Sequence, residues 1–295
     1  MSPLRPESKA QIHFLVTGFK SLSSPPVMLL FFLLVYAQSF LVNAAPSKDL
    51  DPRWTAFSID SNISVEHKAW QQFLDKYLIF DDKDQSYMSY GKVSQRDKKV
   101  LNEYIQYLVE LNPSELSKKQ QMAYWINLYN AKTVSLILDN YPVKSIRKLG
   151  KSWFSSGPWD DKVLLINDIE VSLNDIEHRI LRPIYNQASL HYALNCASIS
   201  CPNLSATAFT SSNAQTQLAE GARNYINHAR GVSFDEDGEL VLSTIYKWYR
   251  EDFGVTRLDL LTHLIGYSDK DLGDKLRAYK GSISYEYDWD LNELK

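Results

Sequence analysis

Cysteine is scarce in this chain: two residues, Cys196 and Cys201, among 295. That excludes a small disulfide-dense scaffold; without a Cys-x-x-Cys pair the usual structural-zinc motif is missing, and a redox-active pair stays a lesser reading because the cysteines are spaced more widely than the usual two-residue gap. A metal centre at these thiols would need ligands brought from elsewhere, and no cofactor is implied. Excess basic charge is lacking too. The whole chain carries −3, and without residues 1–44 it has 29 basic against 34 acidic residues, or −5. Such a surface has no electrostatic footprint for nucleic acid or anionic lipid. There is no internal repeat and no low-complexity tract after the amino end. Long apolar runs are missing as well, with one exception.

That exception is Val27–Ala37, an uncharged stretch preceded by basic residues and followed by Leu41-Val-Asn-Ala-Ala45. Small residues at Val42 and Ala44 suit signal peptidase, so residues 1–44 are read as a signal peptide. The strict run is shorter than the ~20 residues of a comfortable membrane span. No stable span is expected after cleavage; an uncleaved anchor is the alternative. Either way the protein is expected to be exported, periplasmic or extracellular, where disulfides persist.

Residues 45–63 read as a polar linker, and 64–295 as one globular domain. Helical spacing of apolar residues marks Val65–Leu78 and Gln95–Leu111. A third helix, Gln120–Leu138, starts at the capping box Ser117-Lys-Lys-Gln120 and ends before Pro142. Val163–Ile166 and Glu170–Ser172 form a hairpin around Asn167-Asp168. Leu173–Leu181 is a short helix closed by Pro183, and Leu190–Leu194 an apolar strand. Helix Asn213–His228 precedes a hairpin turning at Asp235-Glu-Asp-Gly238. Helical segments Thr244–Phe253, Leu258–Ile265 and Lys270–Tyr279 follow, and Ser282–Trp289 alternates as a half-buried strand. Helices dominate the first half and short strands the second. The fold class is therefore α+β, a helical layer packed on a short antiparallel or mixed sheet.

Chemistry points first to Leu190–Pro202. A strand feeding a Ser- and Ala-rich loop places Cys196 and Cys201 where catalytic groups are often held, with His191 and Asn195 on one strand face. A histidine there would ionise the thiol; a small structural disulfide explains the same pair equally well. Glu177 interrupts the apolar stripe of its short helix, with His178 at the edge. It either orients a histidine or forms a buried ion pair, with Arg147 or Arg182 as partner. Asn127 and Asn130 are poor mid-helix residues, so their amides serve buried backbone groups of a neighbouring loop or line a polar cleft. Tyr246, Trp248, Tyr249, Tyr285, Tyr287 and Trp289 read as core, or as a groove for a peptide or sugar. His67, His228 and His263 read as surface residues.

Taken in order, Ala123-Tyr-Trp-Ile-Asn-Leu-Tyr-Asn-Ala131, Leu173-Asn-Asp-Ile-Glu-His-Arg-Ile-Leu-Arg-Pro183, His191-Tyr-Ala-Leu-Asn-Cys-Ala-Ser198 with Cys201-Pro202, and Ile245-Tyr-Lys-Trp-Tyr-Arg-Glu-Asp-Phe253 resemble the domain of unknown function 547 family. The closing Tyr287-Asp-Trp-Asp-Leu-Asn292 is also similar. The resemblance implies a distant likeness to papain-like and transglutaminase-like cysteine enzymes, which carry the nucleophile at the start of a core helix. Here that helix has no cysteine, so Cys196 would be a relocated nucleophile. The expected function is a thiol-dependent hydrolase or acyl-transferase on peptide-like amides. Cys196 would attack, His191 or His178 act as base, and Glu177 orient. Asn127, Asn130 and Asn195 would supply polar contacts, and Cys201 a resolving or structural partner. The rival is a non-catalytic envelope domain that binds a peptide-like or protein partner and holds a structural disulfide.

Overall fold

The computed structural model describes residues 46–150 and 157–294; the expected signal peptide, residues 1–44, lies outside them. All described residues belong to one compact unit. No helix among them is long and apolar enough to cross a membrane.

The layer of helices forms where the spacing predicts it. Helix α1 spans Lys68–Tyr77 and α2 spans Gln95–Glu110, capped by Ser94, whose hydroxyl accepts from the Asp97 amide. Helix α3, Lys118–Asn140, starts at the expected capping box and carries buried side chains all around its circumference. It is thus the central helix rather than an amphipathic cover. Hairpin β1 (Leu78–Phe80) and β2 (Ser86–Met88) follows α1. Hairpin β3 (Leu164–Ile166) and β4 (Ile169–Val171) turns at Asn167 and Asp168, both at positive φ. That is the primed turn geometry which Asn and Asp tolerate best.

The second half adds α5 (Ala214–Ile226) and the strands β5 (Val232–Phe234) and β6 (Leu240–Ser243), preceded in sequence by α4 (Arg182–Tyr185). Short helices α6 (Ile245–Trp248) and α7 (Arg250–Phe253) lead to α8 (Arg257–Tyr267), α9 (Lys270–Ala278) and β7 (Ile283–Glu286). Strand β6 sits in the middle of a three-stranded sheet, antiparallel to β5 and parallel to β7, with Leu242 opposite Val232 and Tyr285. Mixed pairing within an α+β domain is what the sequence implied.

Two apolar clusters result. The larger surrounds α3; the smaller joins Tyr225, Leu242, Tyr246, Phe253 and Leu264 beneath the three-stranded sheet. The segment 190–197 stands on the seam between them. Leu190, Ala193, Leu194 and Ala197 pack into the first cluster, and Tyr192 into the second.

Four expectations are corrected. Leu190–Leu194 is not a strand: Ala188–Tyr192 is a 3-10 helix. A run apolar on every side fits a seam in either conformation, so periodicity could not separate them. Nor does Pro183 close the preceding helix. Asp175–Leu181 is a π-helix that continues into α4 and stops at Asn186 in the left-handed conformation. The chain that reads as a linker is instead a strap against the domain, for a reason found in Pro183. Lacking an N–H, Pro183 can donate neither to His178 O in the π pattern nor to Arg179 O in the α pattern, so one of these two carbonyls loses its helical donor. The amides of Asp49 and Asp51 donate to those two carbonyls at 3.2 and 3.0 Å. A little farther on, Trp54 is buried edge-on against Trp125 at 5.2 Å. Finally, His67 is buried, its Nδ1 2.7 Å from the Tyr104 hydroxyl, and His228 and His263 are half-buried.

The strap is therefore part of the folding unit. Replacing Trp54 by alanine should cost about 3–5 kcal/mol, the usual figure for emptying a buried tryptophan site. Urea denaturation followed by circular dichroism checks this; a midpoint unchanged from the parent would return the segment to the status of a linker.

Candidate functional site

The two expected asparagines prove to be backbone clamps. Asn130 Nδ2 donates to Ala193 O at 2.8 Å while its Oδ1 accepts from the Asn195 amide at 2.9 Å. Asn127 does the same for Phe209, donating to its carbonyl at 2.7 Å and accepting from its amide at 3.0 Å. Both amide groups are engaged on loops. Asn195 in turn closes the thiol loop, donating to Pro202 O at 2.8 Å and accepting from the Ala197 amide at 2.9 Å. These contacts make up for the sheet neighbours that a strand at 190–195 would have had.

The loop so held presents one sulfur. Cys196 is half-buried and Cys201 buried, both free thiols, with their sulfurs 2.9 Å apart. Cys196 Sγ also lies 3.1 Å from the Tyr287 hydroxyl and 3.2 Å from Ser198 Oγ. The Cys196 amide donates to Cys201 Sγ at 2.8 Å. Between them Ala197 adopts φ +58°, a left-handed conformation costing a non-glycine residue roughly 1–2 kcal/mol. The Asn195 side chain on one flank, and the Asn292 amide donating to Ala197 O on the other, hold it there.

Burial disfavours the Cys196 thiolate, but hydrogen bonds from Cys201, Ser198 and Tyr287 outweigh it and bring the thiol below its ordinary value. Burial and the neighbouring Cys196 charge push Cys201 well above its own. Beside this loop a cleft of about 520 Å³ is lined by Ser200, Arg230, Ser233, Ser243, Tyr287 and Asp288, among others. Tyr287 is common to the cleft and the sulfur.

The other expected residues converge elsewhere. Glu177, His178 and His191 are all buried. His191 faces Glu177 Oε1 through Nδ1 at 3.5 Å and Asp252 Oδ2 through Nε2 at 2.7 Å, and its ring stacks on Tyr249 at 3.9 Å. Glu177 Oε2 accepts from the Tyr129 hydroxyl at 3.2 Å. Arg182, buried, bonds Asp252 and Glu251 at 2.6 Å each and His178 Nδ1 at 2.9 Å, and donates to Pro46 O at 2.7 Å. Lys48 reaches Asp252 Oδ1 at 2.8 Å, so the strap closes the network from outside.

Among the described residues, the hydrogen-bond partners of Cys196 Sγ are Cys201, Ser198 and Tyr287, and neither imidazole is one of them. Both nitrogens of His191 face carboxylates, and His178 Nδ1 is taken by Arg182. The structure thus pairs Glu177 with His191 as expected, but not with the sulfur. Arg182 is the arginine of this network, one step removed from Glu177. Asp252 went unassigned in the sequence, and Tyr249 and Tyr287 were read only as core or groove aromatics, although all three lie inside the motifs that carried the resemblance. Among the described residues no group of three or more His, Cys, Asp or Glu is arranged to hold a metal.

Burial raises Glu177, yet the charges of His178 and His191 and hydrogen bonds from His191 and Tyr249 hold it down to about 2. Asp252 is likewise depressed against its burial by His191, Lys48 and Arg182. Burial lowers His67 and His263 to about 4.

Residues 113–226 match the family model described as "Protein of unknown function, DUF547". That stretch runs from just before α3 through the thiol loop to the end of α5, and stops short of Asp252 and Tyr287. No curated protein and no solved structure matches the chain.

A two-stage acid profile follows from these shifts. The native His67 and His263 bind fewer protons than the unfolded chain between about pH 6.5 and 4, so stability declines as pH falls through that window. The depressed carboxylates contribute stability that is full above about pH 4.5 and is lost as pH falls toward 2. Urea midpoints should therefore drop between pH 7 and 5 and again below 4, and His67→Gln should flatten the first stage. Equal midpoints at pH 7 and 5 would refute the assignment.

Proposed function

Starting from residues 113–226 as a domain of unknown function 547, we propose that the protein is an exported thiol-dependent acyl-transfer enzyme with Cys196 as its nucleophile. It is a hydrolase or acyl-transferase, and its substrates are peptide-like carbonyl compounds. The observation that carries this reading is the Cys196 sulfur itself: on a half-buried residue of a loop held by Asn130 and Asn195, with a thiol and two hydroxyls around it. A thiolate stabilised by such donors attacks without first surrendering a proton to a base. The roles expected for His191, His178 and Glu177 therefore change. They pin the π-helix, α7 and the strap together, and Cys196 is activated by Ser198 and Tyr287 in place of imidazole.

Attack on a carbonyl places a developing oxyanion and a leaving group beside the sulfur. Tyr287 and Ser198 hydroxyls are the protonated groups within reach, 2.9 Å from each other. Either can return a proton to the leaving group. Export is supported by the apolar run Val27–Ala37 with its small-residue flank. The likeness to papain-like enzymes is supported by a long buried core helix followed in sequence by a His191–Asp252 pair. Cysteine is absent from that helix, so the nucleophile on this reading has moved to the loop.

Alkylation of the full-length protein by iodoacetamide tests the activation. Cys196 should react with a midpoint below the free-thiol value of about 8.5. Tyr287→Phe with Ser198→Ala should move that midpoint upward by roughly one unit, a loss of about 1.4 kcal/mol of thiolate stabilisation. Hydrolysis of an acyl-amino-acid nitrophenyl ester should fall more than ~100-fold in Cys196→Ser while circular dichroism stays unchanged, as expected for removing a nucleophile. An alkylation midpoint at or above the free-thiol value, or ester turnover indifferent to Cys196, would sink the proposal. A purified protein whose two sulfurs stay joined under reductant would favour the non-catalytic binding domain.

A further inference from the structure

The acyl-transfer reading uses Cys201 only as a hydrogen-bond donor and gives it no covalent part, yet Cys201 is the closest polar neighbour of the reactive sulfur. Its surroundings are specific. Cys201 is 3 % exposed, so it reaches external reagents only through Cys196. It accepts the Cys196 amide at 2.8 Å, and its own amide donates to Ser198 O at 3.1 Å, closing the loop between the two cysteines. The loop is fixed at both ends, by Asn130 and Asn195 on one side. On the other, the amides of Ile199 and Ser200 donate to Asp290 O and Asp288 O. The sulfurs are thus held within hydrogen-bond contact by a backbone that has little to reorganise.

We infer that Cys196 and Cys201 form an exchange pair that reduces an accessible disulfide of a small molecule or flexible peptide, Cys196 attacking and Cys201 resolving. The proposal shares with the acyl-transfer reading only the nucleophilicity of Cys196. In the first step the Cys196 thiolate attacks one sulfur of the substrate disulfide. A bond forms between Cys196 Sγ and that sulfur, the substrate S–S bond breaks, and the other half leaves as a thiolate that takes a proton from solvent. In the second step Cys201 loses its proton to solvent and attacks Cys196 Sγ. The mixed disulfide breaks, the remaining half leaves as a thiolate, and a Cys196–Cys201 disulfide remains. Two electrons pass from the protein dithiol to the substrate, and a low-molecular-weight dithiol restores the pair for another cycle.

The order of attack follows from the asymmetry. Cys196 is half-buried and Cys201 fully buried, so an incoming disulfide meets Cys196 first, and its thiolate is favoured by its neighbours. Cys201 stays protonated while Cys196 is charged, because that charge and burial both oppose a second thiolate. Forming the mixed disulfide removes the Cys196 charge and so lowers the barrier to ionising Cys201. The Cys196 amide, already aimed at Cys201 Sγ, then stabilises the thiolate as it develops. The pair is an attacking and a resolving thiol by position, although four intervening residues hide this from the usual two-residue motif.

The test is a single turnover. The full-length protein is reduced with dithiothreitol, desalted, and mixed with excess dithiobis-nitrobenzoate, whose thiolate is read by absorbance. Wild-type protein should release two thiolates per chain and carry no adduct by mass spectrometry, being lighter than the reduced form by two hydrogens. Cys201→Ser and Cys201→Ala should each release one thiolate and keep one nitrobenzoate adduct on Cys196. Cys196→Ser should react more than ~100-fold more slowly, as a buried protonated thiol does. Wild-type protein carrying two adducts, or one lasting adduct on Cys196, would overturn the inference without any variant being needed. Dithiothreitol failing to free the sulfurs would overturn it as well. Wild-type release of two thiolates without ester turnover would defeat the acyl-transfer reading alone; ester turnover with two adducts would defeat the exchange alone.

Discussion

Everything near the thiol depends on one pair of hydrogen bonds, those between the Asn130 amide and the backbone of Ala193 and Asn195. Segment 190–197 crosses the seam between two apolar clusters, where no sheet is present to satisfy its peptide groups. A buried carbonyl or amide without a partner costs about 1–3 kcal/mol. Asn130 meets one of each from the middle of α3, and so fixes the loop relative to the most deeply buried helix of the domain. Asparagine is a weak helix former. Its presence there is explained by what it holds, and the same holds for Asn127 and Phe209.

The charge network on the other side of His191 has a different physical logic. A buried ion pair seldom adds stability over an apolar replacement, because desolvation offsets most of the attraction. What such a network does is fix which elements meet. Glu177 and Arg182 come from the π-helix and α4, Asp252 and Glu251 from α7, and Lys48 and Pro46 from the strap. Each head group is matched by a partner from another element, so a shift in any one would leave a buried charge unpaired. The π-helix and Pro183 create the vacancy in the helical hydrogen-bond ladder that the strap fills. The strap amides of Asp49 and Asp51 thus bond the helix where the π pattern gives way to α4 at Pro183.

Most elements were legible in the sequence because their signals are local. The capping box of α3, the Asn167-Asp168 turn and the alternation around β7 each rest on a few adjacent residues, and each formed where expected. The family was recognisable through ordered motifs between Gln120 and Phe253, of which the family model, over residues 113–226, covers those up to Pro202. The misreadings have a common cause. Leu190–Leu194 looked like a strand because its apolar character is set by two clusters at once. His67 looked exposed because its partners, Tyr104 and Asn127, are 37 and 60 residues away. Glu177 was recognised as a carboxylate in need of a partner, but which histidine it meets depends on tertiary packing. Tyr287 could have been found only by asking why the closing strand carries its aromatics on the half-buried face up to the very residue that reaches the sulfur.

His191 and Cys196 are five positions apart in sequence, and in an extended segment their nearness would make an imidazole–thiol pair attractive. The 3-10 turn ending at Tyr192 and the left-handed Ala197 redirect both. The imidazole turns to the carboxylates, while the sulfur turns to Cys201, Ser198 and Tyr287. Two chemistries that the sequence superimposed are thereby separated by the backbone: a closed ionic lock that binds elements together, and a half-buried thiol hydrogen-bonded only to neutral donors. The two are not electrically isolated: the Glu177 charge opposes the Cys196 thiolate, and the hydrogen bonds from Cys201, Ser198 and Tyr287 outweigh it. That division of hydrogen-bond partners lets one buried network set the architecture while another, a few residues along, remains available for chemistry.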